Sequence, residues 1–378
     1  SWNLKMVSGR LEKYKRVGHA GTPYVDYREM IDKEKDNLDA VIVASPDFWH
    51  ARHTNYALNA GLDVYCEKEM SNKIEDAKSM VDTARKTGKL LQIGHQRRSN
   101  PRYIFCYENI LNKAELLGRI TTINGQWNRS ASACEDLGYP KGTAIAKDVL
   151  NKYGYKDMHQ FRNWRWFKGL GGGPIVDLGS HQIDIYSWFL GNAKPVSVMA
   201  SGGIDYWTDH EWYDNVICIY EFKDKEDNTV RASYQTLTTN GSGGYFEKFM
   251  GDRGTLEISE SSNTGSVYRP KSVHEEEWEK WVKAGYIVKT EGQEKPEAVA
   301  VTDSRATGKP DEYKLNVEMN VPFHQPHLVN FFDAIRDKNV KLNCPAEIGY
   351  ETAVMVLKVN DAVKAGKTLE FKPEEFHV

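Results

Sequence analysis

The sequence has 378 residues, of which 40 % are hydrophobic and 27 % are charged, and its formal net charge is -3 at pH 7. This composition is typical of a soluble globular protein, and a nearly balanced charge does not favour nucleic acid or an anionic membrane as a partner. A chain of this length exceeds what one compact core usually holds. We therefore expect two main domains, and partners that are small molecules or further copies of the chain.

The five cysteines are unevenly spaced and include no C-x-x-C pair, so we expect free thiols and no metal site. No apolar run approaches the roughly 18 residues needed to cross a bilayer. No basic-then-apolar secretion signal opens the sequence. This pattern favours a cytoplasmic location over export without deciding between them.

The first part of the chain alternates short apolar runs with helical patterns. Strands are predicted over residues 4–7, 38–44, 63–66 and 90–94, and helices over residues 10–17, 49–60 and 74–87. Gly61 and Gly88 are stop signals for the second and third helices. The run at 38–44 indicates a strand buried on both faces of a parallel sheet. The alternation predicts an α/β fold with a doubly wound parallel sheet, in which ligands lie at the carboxyl ends of the strands.

After residue 119 the pattern changes to longer alternating strands, which predict an open, mainly antiparallel sheet. Strands are expected over residues 120–127, 196–202, 216–222, 230–238, 246–250 and 254–258. Residues 262–320, rich in Lys, Glu and Gly, are interpreted as a surface excursion. Helices are predicted over 325–337 and 346–365. We thus expect domains at residues 1–118 and 119–345, with residues 346–378 returning to the core.

Polar clusters follow three of the predicted parallel strands. They are Ser45-Pro46-Asp47 with His50, then Glu67-Lys68, then His95-Gln96-Arg97-Arg98. The carboxyl ends of parallel strands meet at one edge of a sheet, so these side chains should line one crevice. A lysine directly after a buried strand can have its charge tuned for proton transfer. The alternative for an isolated Glu-Lys pair is a solvated loop.

A second cluster lies in the later part of the chain, where Trp164-Arg165-Trp166 precedes three glycines and a helical pattern. In a helix, Asp177, His181 and Asp184 would share one face at spacings of about one turn. A carboxylate and an imidazole on one face can bind a polyol and move a proton. We expect the glycines to let backbone approach a ligand. The alternative is an ordinary helix with a surface ion pair.

Aromatic residues crowd the side of the chain where a substrate is expected. Flat apolar rings beside hydrogen-bonding groups suit a sugar. The residues of this kind are Trp127, Trp164, Trp166, Tyr206, Trp207, Trp212 and Tyr213, with Asn128, Arg129 and His210 among them. At least half of the aromatics are equally well explained as core residues.

Taken together and in this order, the strand-end clusters, Trp164-Arg165, Gly171-Gly172-Gly173, Asp177 and His181 resemble the Gfo/Idh/MocA family of oxidoreductases along nearly the whole chain. The resemblance implies a Rossmann domain that binds NAD or NADP, followed by an α/β domain with a large open sheet. It also implies that Lys68 contacts the reacting hydroxyl and the nicotinamide ribose, that His181 is the acid/base and that Asp177 holds the sugar.

The same resemblance implies two sets of binding residues. Those expected to bind the cofactor are Ser8, Gly9, Arg10, Ser45, Pro46, His50, Glu67, Lys68, Gln96, Arg97, Trp164 and Arg165. Those expected to bind the substrate are Arg98, Asn128, Trp166, Asp177, His181 and Asp184.

The sequence departs from the family pattern at three places. Glu69 stands where the family usually has proline, and Asp47 stands where asparagine is common. The first strand and its Gly-x-Gly-x-x-Gly turn are missing, so the Rossmann domain is expected to be incomplete. Residues 4–10 then resemble the second strand, where Ser8-Gly9-Arg10 with Lys13 offers hydrogen-bond donors and positive charge that suit a 2'-phosphate and weakly favour NADP over NAD. The alternative is that Arg10 and Lys13 belong to the solvated start of a helix.

The expected function is NAD(P)-dependent oxidation of a ring hydroxyl of a sugar, cyclitol or glycoside, or reduction of the keto sugar. Two alternatives remain open. One is a glycosidase that oxidises its substrate transiently and eliminates the glycosidic group, and the other is a truncated, non-catalytic paralogue that binds carbohydrate or serves in an assembly. An open sheet face also predicts a homodimer or homotetramer.

Overall fold

The computed structural model describes residues 21–131, 135–261, 265–290 and 308–378. These residues form a small parallel sheet and a large mixed sheet, with helices packed between them. The predicted fold class, a Rossmann-like parallel sheet joined to a large and mainly antiparallel one, is therefore confirmed. The strand expected at residues 4–7 and the helix expected at 10–17 lie outside the described residues.

The small sheet consists, within the described residues, of the strands β1 (Ala40–Val43), β2 (Asp63–Cys66) and β3 (Leu91–Ile93), parallel and in that order. Helix α1 (Tyr27–Glu34) precedes β1, while α2 (Asp47–Asn59) and α3 (Ile74–Thr87) connect the strands. The bounds of α3 are those predicted, and Gly88 caps it in a left-handed conformation. The prediction that this strand is buried on both faces was wrong. In the described sheet β1 is an edge strand, and its Ile42 is 51 % exposed.

The large sheet has ten strands among the described residues. Seven of them are β4 (Ile120–Asn128), β5 (Pro195–Gly203), β6 (Asn215–Lys223), β7 (Thr229–Leu237), β8 (Tyr245–Gly251), β9 (Thr255–Ile258) and β10 (Gly265–Arg269). The other three are β11 (Ile287–Lys289), β12 (Asp311–Leu315) and β13 (Leu369–Glu370). The spatial order is β11-β12-β10-β9-β8-β4-β7-β6-β5-β13, and the described pairs are antiparallel except for β4 with β7.

The prediction of a surface excursion over residues 262–320 was wrong for the part that the structure describes. Strands β10, β11 and β12 extend the large sheet, and a short helix, Glu276–Lys283, packs on it. The reason is the pair Trp278 and Tyr313, each 1 % exposed, whose rings lie 5.2 Å apart. The many Lys and Glu residues of this segment cover an exposed surface and obscured its few buried apolar positions.

Two long helices join the sheets. Helix α7 (Pro174–Phe189), so numbered after the short helices Pro101–Phe105, Lys147–Lys152 and Met158–Arg162, packs on β4 and β7. The C-terminal helix, Ala346–Ala365, contacts α7 and β5 on one side and α3 and β3 on the other. A further helix spans Gln325–Arg336. This packing brings the start of α7 to the edge where the parallel strands end. None of the described helices is long and apolar enough to cross a membrane.

Candidate active site

The carboxyl ends of the parallel strands lie together, as the crossover pattern predicted. Glu67 and Lys68 follow β2, and Gly94 follows β3 directly beside them. A Cβ atom at Gly94 would lie 2.7 Å from Oε2 and 3.1 Å from Cα of Glu67. The absence of a side chain at Gly94 therefore lets the two strand ends approach each other.

Lys68 forms an ion pair with Asp177, which comes from the first turn of α7. Its Nζ donates to Oδ1 of Asp177 at 2.9 Å and also to the Asp177 main-chain carbonyl, and the two side chains are 14 % and 13 % exposed. Arg165 donates from Nε to the same Oδ1 at 3.2 Å. Burial alone would raise the pKa of Asp177, but the Lys68 ammonium and the Arg165 guanidinium hold it well below its usual value. The pair is therefore a largely buried link between the two halves of the chain, unlike an ordinary surface ion pair.

His181 lies one turn after Asp177 on α7 and is 6 % exposed. Its ring packs on Trp127 of β4, with 5.5 Å between the ring centroids. Its buried Nδ1 has no hydrogen-bond partner among the described residues. Burial, together with the cations of Lys68 and Arg97, lowers the pKa of His181 well below its usual value. The imidazole is therefore neutral near pH 7 and able to accept a proton.

His50 connects the loops that follow β1 and β2. Its Nδ1 lies 2.8 Å from the Glu69 carbonyl oxygen, and its Nε2 lies 2.6 Å from that of Ser45. Carbonyls only accept, so both ring nitrogens donate and the ring carries a positive charge. Burial opposes this charge, yet Cys66, Asp47 and the Glu69 carbonyl raise the pKa of His50 to about 10. His50 is 1 % exposed and holds the loop after β1 against the loop after β2, which contains Lys68. The peptide bond between Lys68 and Glu69 is cis.

The arginines after β3 are engaged in buried ion pairs. Arg98 donates from Nε to both carboxylate oxygens of Asp184 at 2.9 Å, and Thr352 donates to Oδ1 of Asp184. Arg97, which is 1 % exposed, pairs with Glu247 and, at 3.0 Å, with Glu260. Gln96 donates to Glu260 at 3.2 Å. These contacts fasten the end of β3 to α7 and to the large sheet.

The remaining predicted residues lie around this centre. Trp164 and Trp166 share one 3-10 turn; Arg165 stacks on Trp164 at 4.4 Å, while Trp166 is 2 % exposed. Asn128 donates to the Ser242 carbonyl at 2.9 Å and accepts from Gln235 at 3.2 Å. Ser45 contacts Nδ1 of His53 at 2.9 Å, and Pro46 is the N-cap of α2. Ser8, Gly9 and Arg10 lie outside the described residues.

The glycines before α7 allow close packing within the protein, and their approach to a ligand stays a prediction. A Cβ atom at Gly171 would lie 2.7 Å from main-chain atoms of Arg165. Gly173 has φ +80°, and a Cβ there would lie 2.6 Å from Cβ of Trp212. These close contacts hold the Arg165 turn and the start of α7 against each other, which brings Arg165 to Asp177.

Two buried polar residues near this centre were not assigned a role from the sequence. His95 is 1 % exposed, has no partner for either ring nitrogen among the described residues, and burial lowers its pKa to about 4. Glu135 is also 1 % exposed. The motif after β3 contained His95, whereas nothing in the sequence pattern singled out Glu135. Within the described ranges, no group of three or more His, Cys, Asp or Glu residues is arranged to hold a metal ion.

Comparison with known proteins agrees with this fold. Residues 7–95 match the model of an oxidoreductase family with an NAD-binding Rossmann fold, and residues 144–367 match that family's C-terminal α/β domain. D-glucoside 3-dehydrogenase of Escherichia coli K12 is 31 % identical over 164 residues, which are 43 % of this chain and 38 % of the relative. Glucose-6-phosphate 3-dehydrogenase of Bacillus subtilis 168 is 30 % identical over 165 residues, which are 43 % of this chain and 39 % of the relative. The matched parts are thus about two fifths of these relatives' length.

Solved structures share the fold along most of the chain. Aldose-aldose oxidoreductase from Caulobacter crescentus, complexed with glycerol, superposes with a TM-score of 0.66 at 18 % identity and covers 96 % of this chain and 89 % of its own. A levoglucosan dehydrogenase in complex with NADH and L-sorbose superposes with a TM-score of 0.64 at 15 % identity. The match covers 92 % of this chain and 83 % of the levoglucosan dehydrogenase chain. Because the two family models together match well over half of its residues, the chain belongs to the Gfo/Idh/MocA family of oxidoreductases.

Proposed function

We propose that the protein oxidises a secondary ring hydroxyl of a sugar, cyclitol or glycoside with NAD(P), or reduces the corresponding keto sugar. The observation that carries this proposal is that Lys68, at the carboxyl end of a parallel strand, is joined to Asp177, which lies 109 positions away in the chain and one helical turn before His181. The names of the two dehydrogenase relatives, which act on a glucoside and on glucose 6-phosphate, support a sugar as the substrate.

In this proposal His181 accepts the hydroxyl proton through Nε2, since Nδ1 is buried. Its lowered pKa keeps the ring neutral and ready to act as a base at pH 7. Lys68 donates a hydrogen bond to the same hydroxyl oxygen and stabilises the negative charge that develops there. Asp177 orients Lys68 through their 2.9 Å contact and accepts a hydrogen bond from a neighbouring hydroxyl.

The residues at the strand ends fit a nicotinamide cofactor. The loops after β1, β2 and β3 converge at one edge, which is where dinucleotides bind in doubly wound sheets. Ser45, Pro46, Glu67, Lys68 and Arg165, whose side chain is 42 % exposed, would hold the nicotinamide half. The nicotinamide supplies the hydride acceptor for the carbon that carries the reacting hydroxyl. A preference for NADP over NAD is supported by the sequence position of Arg10 alone.

The experiment is a turnover assay on the full-length protein with NAD⁺ and, separately, NADP⁺ and a panel of aldohexoses, methyl glycosides and inositols. Reduced nicotinamide formed with one sugar would support the proposal. Release of aglycone from a nitrophenyl glycoside without net nicotinamide reduction would favour the glycosidase instead. Sugar binding without either reaction, under conditions in which the protein holds nucleotide, would favour a non-catalytic carbohydrate-binding protein.

We also propose a homodimer or homotetramer formed through the open face of the large sheet. Met199, Ile217 and Ile219 share the face opposite α7 and are 48 %, 49 % and 37 % exposed. Burial of such a face between two copies removes apolar surface from water. A monomeric mass in solution at micromolar concentration would contradict this assembly.

A further inference from the structure

Glu135 presents an unusual buried carboxylate. Glu135 is 1 % exposed, and neither of its carboxylate oxygens, Oε1 and Oε2, accepts a hydrogen bond from a described residue. The cation paired with it is Arg129, whose Nη1 lies 3.8 Å from Oε1, which is beyond hydrogen-bond distance. A buried polar group without a partner destabilises the folded protein, and a charged group does so more strongly. A ligand that donates hydrogen bonds to Glu135 would remove this destabilisation.

Two independent series of contacts connect Glu135 to the candidate catalytic residues. On one side, the Arg129 guanidinium lies over the ring of Trp127 at 5.4 Å, and that ring packs on His181. On the other side, Trp166 donates from Nε1 to the Glu135 carbonyl at 3.1 Å. The residue before Trp166 is Arg165, which donates to Asp177. Glu135 is thus attached to the residues that flank both His181 and Asp177.

Burial raises the pKa of Glu135 to about 7, against the opposing effect of Arg129. Both forms of the carboxyl are therefore present at neutral pH. A hydroxyl group is both a donor and an acceptor, so it can hydrogen-bond to either form. Arg129, Arg165 and Lys68 bring three positive charges to this region against the carboxyl groups of Asp177 and Glu135, so the region has no excess of negative charge that would select a Lys or Arg group of a ligand.

We infer that Glu135, with Arg129, forms a second polar arm of the substrate site that binds one hydroxyl, or two neighbouring hydroxyls, of the sugar ring away from the carbon that reacts. The inference rests on the proposed function, because it assigns a residue to the substrate of that reaction. Glu135 is a binding residue in this assignment: it selects and orients the sugar, while Lys68 and His181 act on the reacting hydroxyl.

The test is calorimetric binding of D-glucose, methyl α-D-glucopyranoside and the 2-, 3-, 4- and 6-deoxy derivatives of D-glucose to the full-length protein with its nucleotide. Wild type is compared with Glu135→Gln, which keeps the shape but removes the charge, and with Glu135→Ala. The control is Glu375→Gln, which removes a carboxylate paired with Lys358 in the C-terminal segment. The thermal unfolding midpoint is measured for every variant, and kcat and KM for every sugar that is turned over.

We expect Glu135→Gln to weaken D-glucose binding about tenfold, the loss of one charge-assisted hydrogen bond, with kcat changed less than about threefold. One deoxy sugar should bind wild type as weakly as D-glucose binds the variant, and the substitution should not weaken that deoxy sugar further. Glu375→Gln should bind all of the sugars as wild type does.

Two results would overturn the inference while leaving the proposed function intact: sugar binding unchanged in Glu135→Gln and Glu135→Ala, or an equal loss for every sugar with a lowered unfolding midpoint. The second result would give Glu135 a structural role. If none of these sugars bound to or was turned over by wild type, the proposed function would fail for glucose-like substrates, and the inference would fail with it.

Discussion

The ion pair between Lys68 and Asp177 makes a quantitative prediction for both stability and turnover. In Asp177→Asn the side chain keeps its shape but no longer balances Lys68 at 2.9 Å and Arg165 at 3.2 Å. Breaking a fully buried pair costs about 3–5 kcal/mol. The side chains are 14 % and 13 % exposed, and Asn retains an acceptor, so we expect the free energy of unfolding to fall by about 2 kcal/mol.

The assay is a double-mutant cycle of Lys68→Met, Asp177→Asn and the double variant, followed by urea unfolding. Because the two groups contact each other, the loss in the double variant should be smaller than the sum of the single losses by at least about 1 kcal/mol. Each single variant should also lower kcat by about a hundredfold or more. The double variant should be little worse than the poorer single, since the pair acts as a unit.

The matched control is Lys358→Met, which breaks the pair with Glu375 at 2.7 Å and whose lysine is also 14 % exposed. It should lower stability but leave kcat unchanged. Strict additivity of the unfolding energies, within about 0.5 kcal/mol, would refute the contact between Lys68 and Asp177 on which the site is built. An equal loss of kcat in Lys358→Met would show that turnover follows overall stability and not this pair.

The remaining predictions concern single residues. His181→Ala should lower kcat by about a hundredfold while nucleotide and sugar dissociation constants stay within a few-fold of wild type, and unchanged turnover would disprove the base assignment. Burial lowers the pKa of His95 to about 4 in the folded protein, whereas the imidazole of the unfolded chain has a pKa of about 6.5. Below about pH 6.5 a proton binds to His95 in the unfolded chain but not in the folded protein, so the free energy of unfolding falls as the pH is lowered. Wild type should therefore lose about 2 kcal/mol more than His95→Gln between about pH 7.5 and about pH 5 in urea unfolding, and parallel pH curves would contradict the buried neutral imidazole. Gly173→Ala should destabilise by about 2 kcal/mol or more, through its positive φ and the contact with Trp212. Gly169→Ala, with φ +82° and open space around Cβ, should cost only about 1 kcal/mol in thermal unfolding, and equal losses would mean that packing against Trp212 is not restrictive.

The sequence determined the elements whose pattern is local. Helix α3 and the C-terminal helix have the predicted bounds, because an uninterrupted apolar period and a glycine stop are both written in the chain. The strand-end position of Lys68 and the shared helical face of Asp177 and His181 follow from the same local periodicities. The family resemblance, by contrast, came from five short motifs in their order along the chain and not from these periodicities.

Only the tertiary structure decided which partner each polar side chain has. Arg98 and Asp184 were both expected to face the substrate, yet they hydrogen-bond to each other across 86 positions of the chain. The burial of Glu135 likewise depends on Trp166 and Arg129 packing around it. Such pairings depend on how the two halves pack, because burial makes an unpaired charge costly and a long-range partner necessary, and neither effect leaves a periodic signal in the sequence.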